Sequence, residues 1–114
     1  MIYIGFSTQS HKISARILCK KYRHCAPVLI DRRRCVLYQF VSYKNIVPIY
    51  MRPCDMIRLE SFGWKFIKYN GKIDHKHALK SKAITCVQFT KCALNIKNIA
   101  IQTPDALLEY LIAK

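Results

Sequence analysis

An α+β fold in a single domain is what this 114-residue sequence predicts, and three observations carry that prediction. Short runs rich in aromatic and β-branched residues, separated by turn-forming residues, fill the first two thirds of the chain. Apolar stripes at helical spacing appear in the last third. The composition, 52% hydrophobic with three glycines and four prolines, supplies one core and not two.

The elements follow in order. Residues 2–8, IYIGFST, read as a strand, and Ser10 caps a helix whose Ile13, Ile17 and Leu18 share one face against Lys12, Arg16 and Lys20. HCAPVLI at 24–30 is a second strand, DRRR a turn, and CVLYQFVSY at 35–43 the returning strand. Pro27 has no N–H, so the 24–30 strand is paired on one side only at that point or is irregular there. NIVPIYM at 45–51 and GWKFIKY at 63–69 are further strands; RPCDMIRLESF between them is either a helical turn or a long loop. The polar stretch 70–82, opening on Asn-Gly, is an exposed connection. A nearly all-buried helix is expected from about Lys82 to Leu94, with Ile84, Val87 and Leu94 on one side. A loop and short strand then lead to Thr103-Pro104-Asp105, which is a cap, a first-turn proline and a first-turn acid. The terminal helix they start carries the stripe Leu107, Leu108, Leu111, Ile112.

Charge and cysteines narrow the function classes. Twenty Lys and Arg against six Asp and Glu give +14, a field that attracts polyanions such as nucleic acid. The basic residues are scattered, and the one tight run, Arg32 to Arg34, falls on a turn, where solvated side chains are expected. No apolar run approaches the roughly 20 residues of a transmembrane helix, and the N-terminus has no signal-peptide pattern, so a cytosolic location is expected. The six cysteines include no pair two residues apart, which disfavours a zinc knuckle, and the absence of a secretion signal disfavours a disulfide framework. His24 with Cys25, and His75 with His77, are the remaining candidate ligands.

One pair of cysteines is separated by helix geometry. Six residues along an α-helix turn through about 600°, so Cys86 and Cys92 point in different directions. Cys86 falls in the first turn, where free N–H groups and the macrodipole favour a thiolate; Cys92 is left as a packing residue. A nucleophilic thiol needs a base. His11, His75 and His77 lie in polar settings, whereas His24 opens an apolar strand. With Ile30 opposite Cys35, His24 faces Val41 and has Gln39 as a diagonal neighbour, able to accept from one imidazole nitrogen and leave the other for Cys86.

This order of features resembles the circularly permuted branch of the NlpC/P60 superfamily of papain-like cysteine hydrolases, in particular its small bacteriophage members. The segments that carry the resemblance are IYIGFST, ISARILCKKYRHCAPVLI and AITCVQFTKCALNIKNIAIQTPDALLEYL. It implies one papain-like domain over residues 1–114, a small antiparallel sheet packed against a buried Cys-bearing helix and a C-terminal helix. It further implies Cys86 as nucleophile, His24 as base and Gln39 as orienting group, with no cofactor and no metal. The implied substrate is a peptidoglycan stem peptide or another amide or ester, and the implied location is the host cytoplasm or a virion. Two positions depart from the family pattern: Arg23 stands where a small polar residue is expected and Cys25 where a β-branched one is expected. The competing expectation is an inactive basic module, either a virion component in contact with other virion proteins or a nucleic-acid binder using Tyr22, Tyr38, Tyr43 and Trp64 as stacking platforms.

Overall fold

The computed structural model describes residues 1–8, 22–32, 34–73 and 75–113; the predicted helix after Ser10, with His11 and Cys19, lies outside them, as do the side chains of His75 and His77. Among the described residues the strands β1 (Ile2–Ser7), β2 (His24–Ile30), β3 (Cys35–Ser42), β4 (Asn45–Met51) and β5 (Trp64–Tyr69) form one antiparallel sheet. Their spatial order is β4-β3-β2-β1-β5. Helices follow at α1 (Pro53–Ser61), α2 (His75–Leu79), α3 (Cys86–Ala93) and α4 (Pro104–Ala113). The fold is therefore α+β.

Alternation along each strand sorts the side chains onto two faces. Ile2, Ile4 and Phe6 of β1 and Cys25 of β2 are buried against Val87 and Leu94 of the α3 segment and Leu107 and Leu108 of α4. Further along the same face Val36, Tyr38 and Phe40 of β3 meet Ala78 and Phe89. Burying a side chain the size of Phe89 contributes about 1.5–3 kcal/mol, so this layer is the principal core. The opposite face carries Ala26, Val28, Cys35 and Leu37, covered by Met56 of α1 and flanked by Trp64 and Phe66. Gly5 makes that flank possible: a Cβ there would lie 2.8 Å from both the Phe66 and Trp64 rings, which stack 5.8 Å apart above it.

The predicted hairpin register is present, with Ile30 opposite Cys35 and Val28 opposite Leu37. The β2–β3 ladder stops there, beside Pro27, which pairs only with Ile4 of β1. His24 is consequently not laddered to Val41, which is exposed next to an irregularity between Phe40 and Ser42.

Several boundaries differ from the sequence reading. The 52–62 segment is helical because Arg52 and Asp55 close its N-terminus: Asp55 Oδ2 accepts from the Arg52 N–H at 2.9 Å, ahead of Pro53. The 70–82 connection contains α2, whose Ala78 is buried under β3. The helix expected from Lys82 begins instead at Cys86. Thr85 Oγ1 accepts from the Gln88 N–H at 3.0 Å, while Gln88 Oε1 accepts from the Ile84 N–H at 2.8 Å, a reciprocal latch that fixes the first turn. Ile84 is thereby left outside the helix and 66% exposed. The helix ends at Leu94, followed by Asn95 in the left-handed region at φ 58°. Nor is α3 nearly all buried: Val87, Phe89 and Thr90 face the sheet, and Cys92, on the far side, is exposed and not a packing residue. Residues 95–102 form a loop with no strand, held to α3 by Lys91 Nζ, which donates to the Asn98 and Ile101 carbonyls at 2.8 Å each.

Candidate active site

The first turn of α3 lies over the start of β2, and the site is built from that crossing. Thr85 caps the helix, which makes Cys86 its first residue. Thr90, one turn on, donates its hydroxyl proton to the Cys86 carbonyl at 2.8 Å and touches Cys25 Sγ at 3.5 Å. At the other end α4 is fastened to the chain entering β2. Thr103 Oγ1 caps it by accepting from the Ala106 N–H at 3.2 Å, and Asp105 Oδ1 accepts from the Tyr22 N–H at 3.0 Å. Tyr22 meets Phe6 edge-on at 5.9 Å, and the Arg23 N–H bonds the Ser7 carbonyl at 2.8 Å. The backbone immediately before His24 is thus tied down on two sides.

The three residues singled out in the sequence come together here. His24 Nε2 lies 3.1 Å from Gln39 Oε1, the bond the broken β2–β3 ladder leaves to side chains. Gln39 Oε1 can only accept, so Nε2 carries a proton, and Nδ1 is the ring nitrogen that this bond leaves. The edge of His24 packs on Trp64, 6.0 Å between ring centres at 89°. Ser7, paired with both His24 and Trp64, is buried beneath them. Cys86 is half-buried, and its thiol is pulled down to about 4. The largest cause is a hydrogen bond from the Cys25 side chain; His24 adds a hydrogen bond and its charge, and the Cys25 backbone N–H adds another bond, together outweighing burial. Thr90 gives its one proton to the Cys86 carbonyl, so in the Cys25–Thr90 contact the donor is the Cys25 S–H, and a thiolate is a stronger acceptor for that proton than a hydroxyl at 3.5 Å.

Chemically, the arrangement is a thiolate beside an imidazole whose far nitrogen is anchored. Of the four first-turn N–H groups of α3, Thr85 occupies that of Gln88; those of Cys86 and Val87 have no partner within the helix and point toward its N-terminal end. A groove of about 330 Å³ on the opposite sheet face runs up to Gln39 and Trp64, lined also by Leu37, Ile49, Met51 and Leu59. Among the described residues no group of three metal-ligating side chains occurs.

Cys25, Thr90 and Trp64 belong to this site without having been singled out for it. Residues adjacent on a strand face opposite ways, so the Cys25 contact depends on where α3 crosses, which no local pattern reveals. Comparison of the chain with protein-family models, curated proteins and solved structures finds no match. Among the described residues no helix is long and apolar enough to cross a membrane.

Proposed function

We propose that this chain is a thiol hydrolase of the papain-like type, resembling the permuted NlpC/P60 enzymes, that cleaves an amide or ester. The observation that carries the reading is a helix-start thiol held well below its ordinary range beside an imidazole whose other nitrogen is held by Gln39. In the reaction the Cys86 thiolate attacks the substrate carbonyl carbon, and the oxyanion that forms accepts from the Cys86 and Val87 N–H groups. The His24 imidazolium gives its proton to the leaving amine or alkoxide. Water, deprotonated by His24, then attacks the thioester, releasing the carboxylic acid and restoring the thiolate. Gln39 holds the ring in the tautomer that this cycle requires. Cell-wall peptides, carrying carboxylates, suit a protein of charge +14, and a phage or virion setting belongs to the same proposal.

Alkylation with iodoacetamide, read residue by residue by peptide mass, tests it. Cys86 is expected to keep its labelling rate as the pH is lowered below 6, and Cys86→Ala is expected to fold and to lose both that label and all hydrolysis of amide or ester substrates. Hydrolysis undiminished in Cys86→Ala refutes the proposal.

A second reading, a non-catalytic polyanion-binding module, is favoured by one observation: the chain carries +14, and most of the Lys and Arg among the described residues are exposed. Filter binding to nucleic acid should then fall steeply with rising salt, and absence of binding at moderate salt removes this reading.

A further inference from the structure

The hydrolytic cycle uses Cys25 only as a hydrogen-bond donor that holds the Cys86 thiolate, yet a second sulfur, fully buried in the cluster that Cys86 packs against, can do more than donate. Thr90 bridges the two residues, with its Oγ1 3.5 Å from Cys25 Sγ and 2.8 Å from the Cys86 carbonyl oxygen, and the Cys25 thiol and backbone N–H both hydrogen-bond the Cys86 thiolate. The remaining described cysteines are placed elsewhere: Cys35 is buried on the opposite sheet face, and Cys54 and Cys92 are exposed. Residues that deliver a proton to a thiolate are also placed to attack it once it is oxidised. Closing the two sulfurs to the roughly 2.05 Å of a disulfide requires the first turn to shift, which opens the Thr85–Gln88 latch at its exposed Ile84 end.

We infer that Cys25 is a resolving cysteine for Cys86, and that hydroperoxides convert the pair into a reversible Cys25–Cys86 disulfide that silences the site and protects it from irreversible oxidation. In the first step the Cys86 thiolate attacks the hydroperoxide; the O–O bond breaks, one oxygen stays on Cys86 as a sulfenic acid, and the other leaves as an alcohol or water after taking a proton. In the second, Cys25 sulfur attacks Cys86 sulfur; the S–S bond forms, the S–O bond breaks, and hydroxide leaves with the Cys25 proton as water. Two thiols are oxidised by two electrons in total and one hydroperoxide is reduced. The inference shares with the proposed function only the Cys86 thiolate and does not require hydrolysis.

The test uses the full chain with Cys54→Ser and Cys92→Ser, reduced, exposed to hydrogen peroxide, quenched with N-ethylmaleimide and mapped by mass. The expected result is a Cys25–Cys86 cross-linked peptide, loss of two maleimide adducts, and recovery of both with dithiothreitol. Cys25→Ala, or Cys25→Ser should the alanine variant not fold, is expected to trap a dimedone-reactive sulfenic acid on Cys86 that proceeds to the sulfinic acid. Sulfinic acid on Cys86 of the parent without a cross-link, a Cys86 disulfide to any other cysteine, or a Cys86 left reduced under peroxide overturns the inference. A cross-link in a chain without hydrolytic activity leaves it standing and removes the hydrolase reading alone.

Discussion

The pH dependence of Cys86 alkylation distinguishes a poised thiolate from a buried thiol, but only through its shape. With its thiol pulled down to about 4, Cys86 is fully ionised at pH 6. An ordinary cysteine, titrating near 8.5, is about 0.3% ionised there. That is roughly a 300-fold advantage in thiolate. Nucleophilicity falls with basicity, however, and a Brønsted coefficient of about 0.4–0.5 over some 4.5 units removes about 100-fold of it. The net gain at pH 6 is only about threefold, and at pH 7 Cys86 is the slower of the two by a similar factor. Absolute rates near neutrality therefore decide nothing. The expected outcome is a Cys86 rate that stays level from pH 8 down to about 5 and halves near pH 4, while a free cysteine in a reference peptide loses about tenfold per unit below about 8.5. Single-residue rates from mass spectrometry measure this. A Cys86 rate that also falls tenfold per unit between pH 8 and 6 refutes the hydrogen-bonding account.

Three further outcomes follow from the same contacts. Gln39→Ala removes the His24 Nε2 partner, so stability should drop by about 1 kcal/mol in chemical denaturation and the Cys86 alkylation midpoint should move up as His24 loses its orientation. Thr85→Ala deletes the α3 cap at a cost of about 1 kcal/mol and should raise the same midpoint; circular dichroism melts and the alkylation profile read the two effects separately. Gly5→Val puts carbon within 2.8 Å of the Trp64 and Phe66 rings, costing about 1–3 kcal/mol and shifting the fluorescence of the single tryptophan toward that of an exposed indole.

The stability contribution of Cys86 has a definite sign with pH. Its folded value is depressed, so the contribution is complete above the ordinary thiol value near 8.5 and is lost as pH falls toward about 4. The difference in melting temperature between the wild type and Cys86→Ala should accordingly shrink on acidification across that window, and a constant difference would contradict the assignment.

Much of the site was legible because turn length fixes register. Placing Ile30 opposite Cys35 put Gln39 within reach of His24, and both the pairing and the side-chain bond are present. The reach held although the ladder ends at Val28, since Pro27 gives β3 no N–H and the side chains span the gap. Cys86 is legible as a first-turn residue, but Lys82 to Ile84 favour helix by type while the helix starts four residues later than Lys82, where Thr85 and Gln88 cap each other's backbone. The phase of α3 decided Cys92: Thr90 and Leu94 face inward, and Cys92 falls roughly opposite them. The sequence does not distinguish helix from loop at α1 because Arg52 is a poor cap by type and acts only with Asp55. Cys25 was invisible as a partner for a different reason: it is sixty-one residues from Cys86, on the strand face opposite His24, and only the crossing of α3 over the start of β2 joins all three.

The most direct measurement is acyl-enzyme trapping. The protein is mixed with an activated ester at pH 6 and quenched in acid, and the adduct is located by peptide mass. An acyl group on Cys86 that decays with time in the wild type, persists in His24→Ala and is absent from Cys86→Ala is the predicted result. Acylation confined to Cys54 and Cys92, or spread evenly over all accessible thiols, contradicts the assignment of Cys86, His24 and Gln39 as a working site.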